Sequence, residues 1–169
     1  MGDGQAAEVV VRSVPKKDYY DDPAAPPANS LVVAVTAVVL DEAGRVLMIQ
    51  RTDNDLWAIP GGAQEIGETS TEAAIREVRE ETGLDVEVTG LVGIYSDPRH
   101  VIAYDDGEIR QEFSICFRAR SIGGQLTPSS ESKQVHWVEP DHLADLTIHP
   151  SVRFRIEHGL QGCSQPYLS

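Results

Sequence analysis

The sequence is poor in cysteine and in positive charge, and each shortage excludes a class of protein. Two cysteines occur in 169 residues, and Cys116 and Cys163 match neither a disulfide framework nor a metal-binding spacing. We therefore expect reduced structural thiols and a cytoplasmic protein. Lys and Arg total 14 against 27 Asp and Glu, a net charge of −13. Because this charge repels phosphate backbones and anionic lipids, we expect neither a nucleic-acid polymer nor a membrane as partner.

Long apolar runs are also missing. The longest, Leu31 to Leu40, is half of the roughly 20 residues that a membrane helix needs, and the chain does not start with the basic and apolar regions of a signal peptide. Hydrophobic residues at 41% and charged residues at 24% suffice for a buried core. A small phosphorylated ligand remains compatible with the acidic charge, because a divalent cation reverses the local sign.

Residues 1–30 differ from the rest of the chain, because prolines interrupt any regular element there. Residues 9–14 predict a short strand, and residues 16–29 predict an extended linker. This N-terminal arm is either disordered or packed on its own domain or on a partner subunit. We expect the main domain over 31–160 and a C-terminal tail over 161–169.

The remaining pattern alternates strands with helices and predicts an α/β or α+β fold with a mixed sheet. Strands are predicted at 31–40, 45–51, 84–95, 113–120 and 134–138, the first two forming a hairpin, and helices at 70–82, 140–146 and 150–159. Residues 96–110 are predicted to be a long loop that selects the ligand. In this region Tyr95 or Tyr104 is a candidate to stack on a base, and His100 is expected to be exposed.

The helix at 70–82 is specified at both ends. Thr69 and Glu72 have the spacing of a capping box, and Gly83 suits a left-handed C-terminus. The helical period predicts a core-facing stripe of Thr71, Ala74, Ile75, Val78 and Thr82, and a water-facing side of Glu72, Arg76 and Arg79.

A third face of this helix carries three acids. Glu77, Glu80 and Glu81 are three or four residues apart and converge. Their mutual repulsion would be relieved by a cation, and carboxylate oxygens suit Mg²⁺ or Mn²⁺ rather than zinc. The alternative is a solvated acidic face with arginine partners.

The segment before the helix favours the cation. Gly61 and Gly62 leave a backbone carbonyl accessible, and Glu65 and Glu68 add two further carboxylates. Five acids around a glycine turn and a capped helix are hard to explain as surface solvation alone.

Residues 62–84 resemble the signature of the Nudix, or MutT-like, hydrolases at every fixed position. The matching residues are Gly62, Glu68, Arg76-Glu77-Val78, Glu80-Glu81 and Gly83-Leu84. The resemblance covers residues 31 to about 160. It implies an α/β/α sandwich around a mixed sheet, and a metal-dependent attack of water on a phosphoanhydride bond. The implied substrate is a nucleoside diphosphate linked to another group.

The resemblance also implies roles for the residues of this box. The metal ligands would be Glu77, Glu80, Glu81 and the Gly61 carbonyl, with Glu80 and Glu81 central to catalysis. Glu65 is a candidate ligand or water-orienting group. Glu68 would support the loop, and Arg76 would pair with a glutamate just before the helix.

Residues outside the box carry further hypotheses. Arg51 would hold a substrate phosphate, or it is a surface residue at a strand end. Glu131 is either a general base from a downstream loop or a solvated side chain, and Tyr104 is a candidate for substrate binding. We expect Trp137 in the core, and Trp57 either in the core or lining the pocket.

The substrate itself is not marked by a motif, since no residue pattern of a Nudix subgroup is matched convincingly. The N-terminal arm and the long loop favour a nucleotide sugar similar to ADP-ribose over a nucleoside triphosphate. The alternative function is a nucleotide-sensing or interaction module that binds without turnover. A homodimer, with the arm crossing between subunits, is a further prediction.

Overall fold

The computed structural model describes residues 15–169 and contains a ten-stranded mixed sheet. The strands are β1 Lys16–Tyr20, β2 Ser30–Leu40, β3 Val46–Arg51, β4 Trp57–Ala58, β5 Gly61–Ala63, β6 Leu84–Tyr95, β7 His100–Tyr104, β8 Ile109–Gly124, β9 Ser132–Val138 and β10 Tyr167–Leu168. The helices are α1 Ser70–Thr82 and α2 Pro150–Gln161, with a 3₁₀ helix at Pro140–Asp145. The predicted α/β fold with a mixed sheet is confirmed.

The core lies on both faces of β2, because successive side chains of a strand point to opposite sides. Val35 packs in a buried cluster with Ala73 and Ala74 of α1. Val38 points the other way, into a cluster with Ile156 of α2. The two helices therefore cover opposite faces of the sheet.

Strand pairing explains the long, curved sheet. β2 runs parallel to β8 over its whole length, and β8 runs antiparallel to β6. The predicted β2–β3 hairpin forms, with Leu40 opposite Val46. Beyond that pair β2 continues with β5, whereas β3 continues with β4 and β9. This splitting brings β5, which leads into α1, next to the middle of β2.

The predicted loop at 96–110 is wrong. β7 and the start of β8 form an antiparallel hairpin there, with Val101 opposite Gln111 and a turn at Gly107, where φ is +93°. The run from Val101 to Tyr104 suits a half-buried strand, and the acidic turn residues only connect it to β8. His100 is 7% exposed, so its expected exposure is also wrong.

The predicted linker at 16–29 begins with a strand. β1 pairs antiparallel with β7, from Lys16 opposite Tyr104 to Tyr20 opposite His100. The described part of the arm therefore packs on its own domain. The strand predicted at 9–14 lies outside the described residues. At the other end of the chain β10 pairs parallel with β6, so both flanks of residues 31–160 add strands to the same sheet.

The predictions for α1 hold for its bounds and its caps but not for every face. Thr69 and Glu72 form the capping box, and Gly83 ends α1 with φ of 76°. Thr71 is exposed and Ala73 is buried, so the core-facing stripe begins at Ala73 and not at Thr71. Arg76 does not face water, because acidic side chains of the box surround its guanidinium.

The last two predicted helices are present with changed lengths. The segment at 140–146 is a 3₁₀ helix over Pro140–Asp145, and α2 continues to Gln161. No helix within residues 15–169 combines the length and the apolar character needed to cross a membrane.

Candidate active site

The acidic box is built by β5, the loop after it and α1. A Cβ atom on Gly62 would lie 2.5 Å from Glu77 Oε1, so only glycine lets the carboxylate lie against this strand. Gly61 has the same restriction against β2, where a Cβ would lie 2.2 Å from the carbonyl oxygen of Val35. The two glycines thus bring the backbone of β5 close to the acidic face of the helix.

Arg76 ties the loop to the helix. Its Nε donates to Glu68 Oε1 at 2.5 Å, and its Nη1 donates to Glu77 Oε1 at 2.8 Å and to Glu80 Oε2 at 3.2 Å. The hydrogen bonds from Arg76 lower the pKa of Glu68 to about 2. The contact that the resemblance implied between Arg76 and a glutamate before the helix is present. Its supporting role in the reaction stays a prediction.

Glu65 contributes to the same loop through its backbone. Its N–H donates to Glu68 Oε2 at 3.0 Å, while its side chain is exposed. A role for the Glu65 carboxylate as a ligand or as a water-orienting group stays a prediction.

Glu81 is the most unusual member of the box. It is 4% exposed, and its Oε2 accepts the Gly61 N–H at 2.9 Å. Burial, reinforced by the charge of Glu77, raises the pKa of Glu81 to about 8. Ser132 of β9 donates its hydroxyl to the Glu81 carbonyl oxygen at 2.6 Å, which fixes the end of the helix.

The three acids differ in exposure, so the solvated-face alternative fails for part of the set. Burial raises the pKa of Glu77, whose side chain is 13% exposed, whereas the side chain of Glu80 is 60% exposed. For both carboxylates burial outweighs the nearby positive charge, which is Arg76 for Glu77 and Arg51 for Glu81.

The donor set fits a hard divalent cation. Carboxylate oxygens on α1 beside the backbone of Gly61 are the oxygen ligands that Mg²⁺ and Mn²⁺ prefer. A cation there would also offset the charges that burial disfavours. The oxygens of the three glutamates are not drawn into a tight group, since across residues 15–169 only Asp18, His100 and His149 hold three ligand atoms within 4.8 Å of one another.

A cavity of about 640 Å³ begins at Gly61 and Gly62 and extends between β1, β7 and the start of α2. Its lining includes Lys16, Asp18, Thr36, Arg51, Asp53, Trp57, Ile102, Tyr104, Glu112, Glu131, His149, Val152 and Arg155. Three residues predicted outside the box, Arg51, Tyr104 and Glu131, therefore line one cavity. Volumes of this size suit small organic ligands.

Arg51 and Glu131 lie at the end of the cavity near the box. Arg51 donates from Nε and Nη2 to the two Asp53 oxygens, each at 2.9 Å, which lowers the pKa of Asp53 to about 2. The backbone carbonyl of Glu131 accepts the Thr52 N–H at 3.1 Å, while the Glu131 side chain is exposed. The charge of Glu131 contributes to the raised pKa of Glu81. Their roles in the reaction stay predictions.

Of the two tyrosine candidates, Tyr104 lines this cavity and Tyr95 does not. Tyr104 lines the cavity with the Arg110 guanidinium 4.9 Å from its ring centroid. Tyr95 is 8% exposed and lies outside this cavity, where its hydroxyl bonds His158 Nδ1 at 2.8 Å. Tyr95 stacks on Tyr167, and its role in stacking on a base stays a prediction.

Trp57 and Trp137 follow their predictions. Trp57 lines the cavity next to the box and packs against the core. Trp137 is partly buried against the other core cluster.

Sequence reasoning missed the residues at the far end of the cavity. Asp18, His100, Glu112, His149 and Arg155 come from three strands and from the beginning of α2. No spacing rule connects positions so far apart; the pairing of β1 with β7 and of β7 with β8, together with the packing of α2 on the sheet, brings them together.

Comparison with known proteins agrees with the fold and the box. The NUDIX domain family matches residues 30–156. A MutT-like protein of Streptomyces ambofaciens is 40% identical over 120 residues, which are 71% of this chain and 70% of that protein. An ADP-ribose pyrophosphatase of Methanocaldococcus jannaschii is 37% identical over 124 residues, 69% of this chain and 66% of that protein. The chain belongs to the Nudix hydrolases, the enzyme class that the acidic box predicted.

Solved structures repeat the fold. A crystal structure of an ADP-ribose pyrophosphatase from Streptococcus suis superposes with a TM-score of 0.63 at 22% identity, covering 81% of this chain and 96% of that one. A Nudix hydrolase from Nitrosomonas europaea superposes with a TM-score of 0.67 at 21% identity, covering 83% and 78%. At these identities the likeness concerns the fold alone.

Proposed function

We propose that this chain is a divalent-metal-dependent Nudix pyrophosphohydrolase that cleaves a phosphoanhydride bond in a nucleoside diphosphate linked to another moiety. The observation that carries the proposal is the buried Glu81 carboxylate, which accepts the N–H of Gly61, a residue that lines the large cavity. Mg²⁺ is the expected cation, with Mn²⁺ as a substitute.

The residues of the box would hold the cation through Glu77, Glu80, Glu81 and the Gly61 carbonyl. When bound, such a cation neutralises phosphate oxygens and lowers the pKa of a coordinated water. Arg76 keeps the helix and the loop in one arrangement through its bonds to Glu68 and the α1 acids. Rigid support of this kind matters because a small displacement of the reacting groups is costly in rate.

Residues outside the box have further roles in the proposed reaction. The Arg51 guanidinium, oriented by Asp53, would bind a phosphate oxygen of the substrate. Glu131 would accept the proton from the attacking water, with Glu65 as the other candidate for orienting it. Tyr104 would contact the group carried by the diphosphate.

Two substrate classes deserve the first tests. Relatives of this chain carry the names ADP-ribose pyrophosphatase and putative 8-oxo-dGTP diphosphatase, the latter being 31% identical over 106 residues. We place ADP-ribose-like nucleotide sugars first, because the cavity extends well beyond the box, and nucleoside triphosphates second.

The decisive experiment is a substrate panel with Mg²⁺ and identification of the products. We expect release of a nucleoside monophosphate from at least one substrate, and no turnover after chelation. Tight binding of nucleotides without any hydrolysis would instead support the alternative, a nucleotide-sensing module. The homodimer and the cytoplasmic location stay predictions, and sedimentation of the purified protein tests the first.

A further inference from the structure

The end of the cavity farthest from the box, here called the distal end, consists of Asp18, His100, Glu112, His149 and Arg155. These side chains come from β1, β7, β8 and the first turns of α2. All five line the same cavity as Gly61 and Gly62. The cavity therefore connects the two glycines of the box with these five side chains.

Arg155 is a buried cation with too few partners. It is 4% exposed, its guanidinium carbon lies 5.3 Å from the centroid of the Tyr95 ring, and its Nη2 lies 3.6 Å from Glu112 Oε1. Its Nε has no hydrogen-bond partner among the described residues. Arginine carries five N–H donors and stays charged, and buried donors left unpaired are costly. This arrangement calls for an acceptor from a ligand.

Asp18 faces both His100 and His149, with a hydrogen bond to His100 and a longer ionic contact to His149. His100 Nε2 lies 2.9 Å from Asp18 Oδ1, and His149 Nε2 lies 3.6 Å from Asp18 Oδ2. His149 Nδ1 accepts the Ser151 N–H at 3.2 Å, so in the neutral ring the proton is on Nε2 and faces Asp18. A protonated Nε2 offers no lone pair to a metal ion. The three residues therefore fasten the N-terminal arm over the cavity.

The charges at the distal end exclude a second phosphate. Asp18 and Glu112 are acidic, whereas Arg155 is the one arginine of the group, and burial lowers the pKa of His149 so that its ring tends to be neutral. Nearby, Lys16 and Arg51 are both engaged by Asp53. An anionic group brought here would meet two carboxylates.

We infer that the distal end binds the uncharged end of the substrate, with Arg155 donating to an acceptor atom and Glu112 accepting from a neighbouring donor. The inference rests on the proposed function. Two parts of a nucleotide sugar present such a pair: the diol of a terminal ribose and the edge of a nucleobase, which for adenine carries the N1 acceptor and the N6 amino donor. In either case the distal end would favour substrates with an uncharged group beyond the diphosphate.

The test uses binding of two hydrolysis products, which need no turnover. Affinities of adenosine monophosphate and ribose 5-phosphate are measured by calorimetry in the presence of Mg²⁺ for the wild type, Glu112→Gln and Glu87→Gln. Glu87 is the matched control, since it is an exposed glutamate that pairs with Arg120 on the same sheet, outside the cavity. We expect Glu112→Gln to weaken one of the two ligands about tenfold, because a charged hydrogen bond becomes a neutral one.

The outcome identifies the group that is bound. Weakening of adenosine monophosphate alone assigns the distal end to the base, and weakening of ribose 5-phosphate alone assigns it to the sugar. Equal affinities in Glu112→Gln and the wild type, or equal weakening of both ligands, overturn the inference.

A second measurement is made on the wild type, with a variant used only to assign the signal. The Nε–H resonance of Arg155 in the wild type, assigned by its loss in Arg155→Lys, should shift with the ligand that binds the distal end. A resonance that neither ligand moves also overturns the inference. Hydrolysis without this selectivity refutes the distal site alone, whereas selective binding without hydrolysis of any substrate refutes the proposed function alone.

Discussion

The box and the distal end of the cavity each contain a shielded arginine, and the two arginines differ in their partners. Arg76 in the box donates to Glu68, Glu77 and Glu80 at 2.5–3.2 Å. Arg155 at the distal end has a single carboxylate at 3.6 Å and an unpartnered Nε. The first arginine fixes protein groups in place, whereas the second is left open to a ligand. The buried charge in the box is instead negative, on Glu81 and Glu77, and of these two carboxylates Arg76 donates only to Glu77.

The largest expected effect is the loss of turnover when an acid of the box is replaced. Glu81→Gln should reduce turnover by a factor on the order of 10²–10³ or more, because a cation ligand acting in the transition state is lost. Glu80→Gln should do the same. Hydrolysis rates at saturating Mg²⁺ measure the effect, with Glu87→Gln as the control. Near-native rates in both variants would refute the assignment of the box.

Glu81→Gln, which should lower turnover, should raise the stability of the metal-free protein above pH 4.5. The pKa of Glu81 is raised from its usual 4.5 to about 8 in the folded protein. Below pH 4.5 the residue is protonated in both states, and between pH 4.5 and 8 the unfolded state ionises first. Stability should therefore fall over this window by a few kcal/mol as pH rises.

Denaturant titrations in EDTA between pH 5 and pH 8 test this expectation. Glu81→Gln should flatten the decline, and Mg²⁺ should restore wild-type stability at pH 8. A wild-type stability that stays level across this range would contradict a shielded, uncompensated carboxylate.

A smaller effect concerns the close approach of β5 to α1. Gly62→Ala places a Cβ 2.5 Å from Glu77 Oε1 and should displace that carboxylate. We expect the Mg²⁺ concentration for half-maximal activity to rise about tenfold, or by ~1.4 kcal/mol of binding free energy. Gly90→Ala is the matched control, since its Cβ would meet only Arg118, at 3.8 Å. Equal Mg²⁺ dependence in both variants would show that the close contact between Gly62 and Glu77 is not needed for metal binding.

The smallest effect tests the attachment of the arm at the distal end. Asp18→Asn weakens the hydrogen bond to His100 and removes the charge that faces His149, and it should cost about 1 kcal/mol, close to the value of one hydrogen bond. Amide exchange in Lys16–Tyr20 should accelerate, whereas Asp105→Asn in the exposed turn after β7 should leave it unchanged. Unaltered exchange in Asp18→Asn would mean that strand pairing alone holds the arm.

Local sequence was sufficient wherever neighbouring residues decide the structure. The bounds of α1 follow from its caps, and the acids of the box share one helix, so a spacing of three or four residues already placed them together. The strand at 100–104 was missed because its partners, β1 and β8, lie elsewhere in the chain, and polar turn residues masked its short pattern.

The chain by itself determined the acidic box, its glycines and the class of enzyme, because a single capped helix and the turn before it carry them. Only the tertiary structure decided which acid is buried, how Arg76 is shared, and that Arg155 and Glu112 meet at the far end of the cavity. Burial and long-range pairing depend on how strands from distant parts of the chain pack, and no local pattern encodes that packing.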